Sequence, residues 1–470
     1  MYTFYRPCAA VAVLFAAATG HAGPLVTERV SVNPASGLQA DGPSDSPALS
    51  ADGCIVAFVS RSGTLAPGSY GLTKTSASQV YAVNRCVSPN IIELVSVTND
   101  GSTASDRDCF YPNISADGRY VAFITSAGNL PVPGSGPSGQ VFLPFVRDRL
   151  TQTTLSPLEA WRTTPNNGAG VYFDTLGTNP VARQNYMSAD ASEFAFWFFD
   201  GVSPTLNVYA FHVSGATTTL YTICPGAAAG SCSKPQISGD GSTIVFPSSH
   251  ALIAGDVNGS ADVYAFDTAT TDSSLVSVTA ANVQANNPVD PGNDLGISND
   301  GNVVAFLSDT ATNFPGNTPF TLLAKNRTSG EVTLISAGPG GTPEVPTLFT
   351  NNEANEVGAT PQLSADGNRI AFGSNNPAIT PYPDPFTLGS LDAVVADLTL
   401  KRLGSACLSA SGSHGDQGCD TVTISADGKW VAFRSISDNL VPGDTNALAD
   451  IFVVALDPAV DDVFASGFEP

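Results

Sequence analysis

The chain has 470 residues, of which 42% are hydrophobic and 13% charged, so it has ample apolar material for a core and lacks the composition of a disordered acidic chain. The formal net charge is −23, which opposes binding to nucleic acid because the phosphate backbone is also negative. The negative charge is compatible with binding to cationic partners and to metal ions.

Residues 1–22 have the features of a cleavable signal peptide. Arg6 precedes an apolar run from Ala9 to Ala18, and the small residues Gly20 and Ala22 stand where a cleavage site needs them. No later segment approaches the ~20 apolar residues of a membrane-spanning helix. We therefore expect an exported protein without a membrane span, located in the periplasm or outside the cell.

One phrase, built on Ser-x-Asp-Gly and a following apolar run, recurs along the chain. Its seven copies are SADGCIVAFVS at 50–60, SADGRYVAFIT at 115–125, SADASEFAFWF at 188–198, SGDGSTIVFPS at 238–248, SNDGNVVAFLS at 298–308, SADGNRIAFGS at 364–374 and SADGKWVAFRS at 425–435. The Asp-Gly pair predicts a hairpin turn, because Gly adopts positive φ without a Cβ clash. The third copy has Ala191 instead of Gly, so we expect a strained or altered turn there.

Each unit has strand patterns on both sides of this turn. Short apolar pieces such as Pro47–Ser50 and Pro361–Ser364 precede it, and the continuous apolar run after it is typical of a strand buried on both faces. Third strands are predicted at Val80–Asn84, Val141–Val146, Val208–Val213, Val263–Asp267, Thr321–Asn326, Ala393–Asp397 and Ile451–Leu456. Fourth strands are predicted at Glu93–Val97, Leu220–Ile223, Leu275–Val278 and Glu331–Ser336.

Four antiparallel strands per unit, repeated seven times without helical periodicity, predict an all-β fold: a seven-bladed β-propeller over residues 23–458. A linear solenoid is the alternative. The ends favour the ring, because the last unit stops after Ile451–Leu456 without an outer strand, while Thr27–Val32 matches the outer strand Glu93–Val97. We expect the N-terminal strand to complete the last blade and close the ring.

The combination of S-x-D-G, V-A-F-x-S and a D-[IV]-[FY] strand resembles the WD-like repeats of bacterial TolB-type propellers. The resemblance covers nearly all of the chain after residue 22 and implies the fold. It implies little about function, since such propellers include binding scaffolds, carbohydrate-active enzymes and domains attached to peptidases. TolB itself has six blades and an additional N-terminal domain, so its role in the cell envelope is not carried over.

The cysteines fit an oxidising compartment. Cys109, Cys232 and Cys419 occupy the same place in their units, just before an inner strand, and Cys224 and Cys407 end the preceding outer strands. We expect Cys109 to be a buried, inert thiol. The predicted disulfides are Cys54–Cys86, Cys224–Cys232 and Cys407–Cys419.

Two loops carry alternating oxygen side chains followed by a carboxylate, a pattern that can ligate Ca²⁺. The alternative is that these residues cap turns through their own backbone. No other cofactor is expected. The candidate ligands are Asp256, Asn258, Asp262, Asp444, Asn446 and Asp450.

Catalytic patterns are sparse. The chain has no G-x-S-x-G motif, and His212, His250 and His414 lie in different units. The repeated Asp residues are interpreted as turn residues. The widest insertion, Pro157–Asn185, contains Trp161 and Tyr172 and is a candidate binding loop whose aromatic rings could stack on sugars.

The resulting hypothesis is an exported, non-enzymatic and monomeric scaffold that binds a protein or glycan partner. One alternative is a propeller lyase or hydrolase acting on polysaccharide, which requires His, Arg and carboxylates gathered at a channel mouth. Another is a Ca²⁺-dependent surface adhesin. The tail at 459–470 resembles short F-x-x-G-F-E tails of exported bacterial proteins and is expected to be frayed.

Overall fold

The structure is a computed structural model. It describes residues 27–65, 70–73, 76–130, 142–157, 172–173, 185–199, 206–214, 217–224, 232–286, 295–308, 313–314, 321–337, 360–376, 379, 391–456 and 466–467. The predicted signal peptide therefore lies outside the described residues. The regular secondary structure of the described residues is entirely β-strand.

The strands form seven antiparallel sheets, one for each sequence unit. β1 (Thr27–Arg29) is the outermost strand of the last blade. Blades 1 to 3 contain β2 (Ser44–Leu49), β3 (Ile55–Ser60), β4 (Gln79–Asn84), β5 (Ile91–Leu94); β6 (Cys109–Ile114), β7 (Tyr120–Thr125), β8 (Leu143–Asp148), β9 (Thr153–Leu155); and β10 (Tyr172–Phe173), β11 (Glu193–Phe199), β12 (Leu206–Ser214), β13 (Thr217–Thr222).

Blades 4 to 7 repeat the arrangement. Their strands are β14 (Gln236–Ile237), β15 (Thr243–Ser248), β16 (Asp262–Asp267), β17 (Ser273–Leu275); β18 (Gly296–Ile297), β19 (Val303–Leu307), β20 (Leu322–Asn326), β21 (Val332–Leu334); β22 (Gln362–Leu363), β23 (Arg369–Ser374), β24 (Asp392–Asp397), β25 (Arg402–Ser405); and β26 (Cys419–Ile424), β27 (Trp430–Ser435), β28 (Asp450–Ala455). A last strand, β29 (Ser466–Gly467), is added outside β25.

The predicted seven-bladed propeller is confirmed, and so is its closure. β1 pairs antiparallel with β28, with Thr27 opposite Val454 and Arg29 opposite Phe452. A strand from the start of the chain thus completes the last blade. Because the ring is closed, the linear solenoid is excluded.

Several predicted strands are displaced. The fourth strands predicted at Glu93–Val97, Leu220–Ile223 and Leu275–Val278 are observed earlier, at Ile91–Leu94, Thr217–Thr222 and Ser273–Leu275. The third strand of blade 2 is Leu143–Asp148 rather than Val141–Val146, so it runs through Arg147. The Arg147 side chain is 2% exposed and donates to Thr154 Oγ1 at 3.1 Å and to Gln152 Oε1 at 2.7 Å. The hydrophobic pattern ended the predicted strand at Val146, because a buried Arg satisfied by polar partners looks like a surface residue in a sequence.

The repeated Ser-x-Asp-Gly turns have one hydrogen-bond pattern. The Ser hydroxyl donates to Oδ1 of the Asp over 2.6–2.7 Å in all seven copies. The same Oδ1 accepts the backbone N–H two residues later at 2.9–3.0 Å. These bonds give the repeated Asp the structural role in a turn that its position predicts.

The turn glycines also allow neighbouring blades to approach closely. A Cβ added to Gly118 would lie 2.5 Å from Cγ1 of Ile55 in the preceding blade, and one added to Gly53 would lie 2.4 Å from Cδ1 of Trp430. In blade 3, Ala191 replaces the Gly and keeps a left-handed backbone, with φ 60°. The strained turn predicted from the sequence is therefore present.

A ring of backbone hydrogen bonds joins the blades beside these turns. An N–H on each blade donates to a carbonyl on the next over 2.7–3.1 Å. The donor and acceptor pairs are Ala51–Ala116, Ala116–Ala189, Ala189–Gly239, Asp240–Asn299, Asn299–Ala365, Ala365–Ala426 and Asp427–Ala51.

The core lies between the blades and repeats one aromatic contact. In four blades a ring on the second strand stacks with a ring on the third, with centroids 5.8–6.0 Å apart. Each such pair contributes about 0.5–1.5 kcal/mol beyond the area that it buries. The pairs are Phe58–Tyr81, Phe123–Phe145, Phe246–Tyr264 and Phe433–Phe452.

The two faces of the ring differ because strand direction alternates within each blade. The Ser-x-Asp-Gly turns and the links from third to fourth strands lie on one face, which we call the turn face. The links from second to third strands and the crossings between blades lie on the opposite face, which we call the loop face. The fully described longer connections, 249–261 and 436–449, belong to the loop face.

Candidate functional site

The inner strands surround a central channel with an aliphatic ring. The residue that precedes the signature Ser is aliphatic in every blade, and all seven of these residues line a cavity of about 280 Å³. None of the described residues that line this cavity has a titratable side chain. The ring consists of Leu49, Ile114, Met187, Ile237, Ile297, Leu363 and Ile424.

Neutral polar groups lie on the loop-face side of the aliphatic ring. Asn113, Asn185, Gln362 and Thr423 line both the main cavity and a narrower extension of about 40 Å³. Asn185 accepts a long hydrogen bond from Asn113 Nδ2 at 3.4 Å and donates its backbone N–H to Gln236 Oε1 at 2.6 Å. The channel therefore changes from aliphatic to amide-lined towards the loop face.

Four of the described blades carry the same irregularity where the channel opens on the loop face, and three of them are consecutive. In blade 4 the pairing shifts by one residue around Lys234, whose φ is 40°. The inner strands of blades 7, 1 and 2 are bulged at Thr421, Ser46 and Tyr111, whose φ values are 49°, 54° and 51°. Bulges redirect side chains, and a left-handed non-Gly residue costs roughly 1–2 kcal/mol. Strain of this kind concentrates at functional sites.

The residues around these bulges bring together charged and aromatic side chains. Arg434 Nη1 lies 2.6 Å from Asp420 Oδ2, and Arg434 Nε lies 3.9 Å from Asp45 Oδ2. Burial lowers the pKa of Arg434, but the carboxylates of Asp420 and Asp45 more than offset this, so the pKa is raised. Burial and the nearby Asp45 raise the pKa of Tyr111. We call Asp45, Tyr111, Asp420 and Arg434 the mouth cluster.

An aromatic group adjoins the mouth cluster. The ring of Phe110 lies 6.0 Å from that of Tyr111 and 5.9 Å from that of Phe142, measured between centroids. All three side chains are half-buried. The loop-face opening of the channel therefore combines ring surfaces with an Arg held between two carboxylates, none of which stood out in the sequence.

The first predicted calcium loop is internally hydrogen-bonded. Asn258 Nδ2 donates to Asp262 Oδ2 at 3.0 Å, and Gln284 Nε2 donates to Asp256 Oδ1 at 2.7 Å and to Asp262 Oδ2 at 3.0 Å. The Tyr264 hydroxyl donates to the other oxygen of Asp256. Burial raises the pKa of Asp262. The loop thus brings its two carboxylates together through shared amide donors.

The second loop contains a cation of its own. Arg29 Nη1 lies 2.8 Å from Asp444 Oδ1 and 3.7 Å from Asp450 Oδ2. Asn446 Nδ2 donates to Asp450 Oδ2 at 2.8 Å, and the Ser31 hydroxyl donates to Asp450 Oδ1. Burial raises the pKa of Asp450. The two loops therefore differ, because an Arg occupies only the second.

The three histidines that the structure describes do not form one site. His212 Nδ1 lies 2.6 Å from Glu193 Oε1 in blade 3, and His250 lies in the loop between β15 and β16. His414 Nε2 lies 2.9 Å from Asp392 Oδ2 and 3.2 Å from the Ser405 hydroxyl.

A serine triad would need Ser and Asp on different ring nitrogens, so His414 does not form one. Nor can the neighbouring Cys407 serve as a metal ligand here, because its sulfur is bonded to Cys419.

The described residues contain three disulfides, which are the pairs named from the sequence. Two of them join an outer strand to the next blade, and Cys54–Cys86 links the second and third strands of blade 1. Cys109 is buried, and burial raises the pKa of its thiol to about 11. The bridges are Cys54–Cys86, Cys224–Cys232 and Cys407–Cys419.

Most of the candidate binding loop Pro157–Asn185, including Trp161, lies outside the described residues. Its described central part, Tyr172–Phe173, pairs with Phe199 and Phe198 as the first strand of the blade 3 sheet. The described part of the chain holds no helix with the length and apolar character needed to cross a membrane.

Comparison with known proteins gives the fold alone. No protein-family model matches the chain, and no curated protein matches its sequence. An oligogalacturonate lyase from Vibrio parahaemolyticus has a similar structure, with a TM-score of 0.51 and 12% identity over 94% of this chain and 100% of the lyase. The protein therefore belongs to the class of β-propellers, here with seven blades.

Two further structures are more distant. TolB from Acinetobacter baumannii has a TM-score of 0.37 and 11% identity over 82% of this chain, which spans 61% of the TolB chain. The β-propeller domain of the Trilobed protease from Pyrococcus furiosus has a TM-score of 0.47 and 12% identity, with 88% of this chain and 95% of the domain covered.

Proposed function

We propose that this protein is an exported, non-enzymatic binding module that engages a protein or glycan ligand at the loop-face mouth of its channel. The observation that carries the proposal is the mouth cluster itself: blades 7, 1 and 2 are adjacent, and their bulges, which blade 4 shares, bring its charged and aromatic side chains together. A rigid ring with elaborated loops on one face suits recognition.

The chemistry of the mouth favours binding over catalysis. A general base needs a pKa near the working pH, whereas the pKa of Tyr111 is raised above its ordinary value. The charge of Arg434 is already matched by Asp420 and Asp45. A lyase for acidic polysaccharide would need cationic groups free to meet the substrate carboxylates, and two carboxylates at this mouth repel such a substrate.

Export is supported by the leader pattern of residues 1–22 and by the three disulfides. Structural disulfides persist in oxidising compartments, and the two that cross between blades restrain the ring. The propeller is proposed to act as a monomer, because each sheet is completed by strands of one chain.

The test begins with a binding screen of the oxidised mature chain against glycans and envelope or secreted proteins. A hit is then measured with Asp45→Asn, whose side chain is 51% exposed, so that folding is preserved. Asp272→Asn, an exposed change of the same charge on the turn face, is the matched control. We expect Asp45→Asn to change affinity about three- to tenfold and Asp272→Asn to leave it unchanged.

Equal effects of the two substitutions would place the ligand away from the mouth and contradict the proposal. The enzyme alternative is tested by incubation with neutral and acidic polysaccharides. Product formation that disappears in Arg434→Gln would overturn the non-enzymatic assignment.

A further inference from the structure

Blade 6 has a fifth strand, which extends its outer edge. β29 pairs antiparallel with β25, with Leu403 opposite Ser466 and Arg402 opposite Gly467. The other sheets have four strands in the described part of the chain. An outermost strand presents unpaired N–H and C=O groups and is a template for another strand. At blade 6, part of the C-terminal segment uses that template.

Charge distinguishes this edge from the others. β25 begins with Arg402 and is directly preceded by Lys401. No other outermost strand that the structure describes has a cation both at its first residue and at the residue before it. The segment 459–470 contains Asp461, Asp462 and Glu469 and no Lys or Arg. An acidic segment is therefore paired, through Ser466 and Gly467, with the most basic outer edge among the strands that the structure describes.

We propose that the outer edge of blade 6 is a binding site for an acidic, extended peptide, and that its occupant is the segment 459–470 of the same chain. The backbone of β25 supplies the pairing, and Lys401 with Arg402 selects for negative charge. The described ladder comprises Ser466 and Gly467, and in this proposal the pairing opens reversibly. An opened edge accepts the same peptide from solution.

The first test compares the full chain with its Gly467→Pro variant. Proline removes the N–H and fixes φ at about −65°, away from the extended value of a paired strand, so we expect the variant to weaken the pairing and uncover β25. Ala459→Pro, upstream of the pairing, is the control. Hydrogen exchange of residues 401–405 should be at least about fivefold faster in Gly467→Pro than in the wild type or the control. Equal exchange in all three overturns the proposal.

The second test adds a fluorescent peptide with the sequence of residues 459–470. We expect it to bind Gly467→Pro at least about fivefold more tightly than the wild type, whose edge is occupied. Replacing both Lys401 and Arg402 by Gln in the Gly467→Pro background should weaken binding about three- to tenfold.

A peptide in which Asp461, Asp462 and Glu469 are neutralised should also bind more weakly. Equal binding to Gly467→Pro and wild type, or no binding to Gly467→Pro, contradicts a site at this edge. These outcomes do not depend on the loop-face ligand, because the edge lies on the rim of the ring.

Discussion

The backbone N–H of Asp427 donates to the carbonyl oxygen of Ala51 over 2.9 Å and so joins blade 7 to blade 1. It is the last of seven equivalent bonds around the channel. Two sets of contacts therefore close the ring. β1 pairs with β28 at the rim, and a main-chain hydrogen bond joins the first and last blades beside the channel.

The inner closure predicts slow amide exchange at the donor of every blade. Asp427 and Ala51 should exchange as slowly as amides within the second strands, because opening either bond requires two blades to separate. The measurement is residue-resolved hydrogen exchange of the oxidised chain. Fast exchange at Asp427, with slow exchange at Ala116 and Ala365, would mean that the ring opens between its first and last blades.

Replacing Ala191 by Gly should stabilise the protein. Ala191 has φ 60°, where a Cβ is unfavourable, and Gly occupies this place in the other six turns. We expect a gain of up to about 1 kcal/mol in the free energy of unfolding, measured with urea. Gly101→Ala is the reciprocal control, since Gly101 has φ +67° and open space around it, and should lose about the same amount.

At the turn glycines that face a neighbouring blade, a steric contact adds to the conformational cost of introducing a Cβ. Gly118→Ala should cost more than Gly101→Ala, because its Cβ would meet Ile55. Equal losses at Gly118 and Gly101 would show that the close approach of the blades contributes nothing.

A fourth disulfide should form when Ser96 is replaced by Cys. Ser96 occupies the place in blade 1 that Cys224 and Cys407 occupy in blades 3 and 6, each following a residue whose N–H bonds to the third strand. Its hydroxyl lies beside the buried Cys109 thiol. The oxidised variant should contain no free thiol, and mass spectrometry should find a peptide that links 96 to 109.

The stability of that variant provides the second readout. The new bridge should stabilise the oxidised form by about 2–3 kcal/mol relative to its reduced form. Ser96→Ala is the control for the hydrogen bond that Ser96 donates to Gln79 at 2.7 Å. Two free thiols in oxidised Ser96→Cys would contradict the equivalence of the blade junctions.

Calcium binding remains a prediction, and the difference between the two loops allows each loop to be tested separately. Arg29 lies between Asp444 and Asp450, whereas Asp256 and Asp262 are joined only by neutral donors. Any rise in melting temperature with Ca²⁺, relative to chelator, should disappear in Asp256→Asn.

The same rise should persist in Asp444→Asn, because the second loop has its own cation. The absence of any shift in the wild type would make the calcium prediction wrong, and with it the adhesin alternative.

At low pH the free energy of unfolding should fall, because Asp148 becomes protonated. Arg119 donates to both oxygens of Asp148, at 3.0 and 2.7 Å, and these bonds hold the pKa of Asp148 well below its ordinary value. A carboxyl with a lowered folded-state pKa stabilises the fold above its unfolded pKa of about 4 and loses this contribution as the pH falls below it.

Asp148→Asn should therefore reduce the free energy of unfolding at pH 7, and the difference from the wild type should shrink as the pH falls below about 4. Urea unfolding at both pH values measures this. A difference independent of pH would mean that the ion pair contributes nothing through its charge.

The fold was accessible from the sequence because the turn motif recurs and each copy separates strands of fixed pattern. Closure by Thr27–Arg29 was accessible as well, because the last unit lacks a strand that the first residues can supply. The mouth cluster was not, since Asp45, Tyr111 and Asp420 meet only after the ring closes. Nor does any local pattern reveal the bulges, because Ser46 and Thr421 have left-handed backbones that their residue types do not favour.

The main-chain hydrogen bonds between blades have a consequence for how such a propeller can evolve. Every amino acid except Pro offers the same N–H and C=O, so these contacts do not identify which blade stands beside which. A blade could be duplicated, lost or exchanged without redesigning the junctions, provided that the ring still closes. The disulfides and the loop-face side chains are then what make one position on the ring different from another.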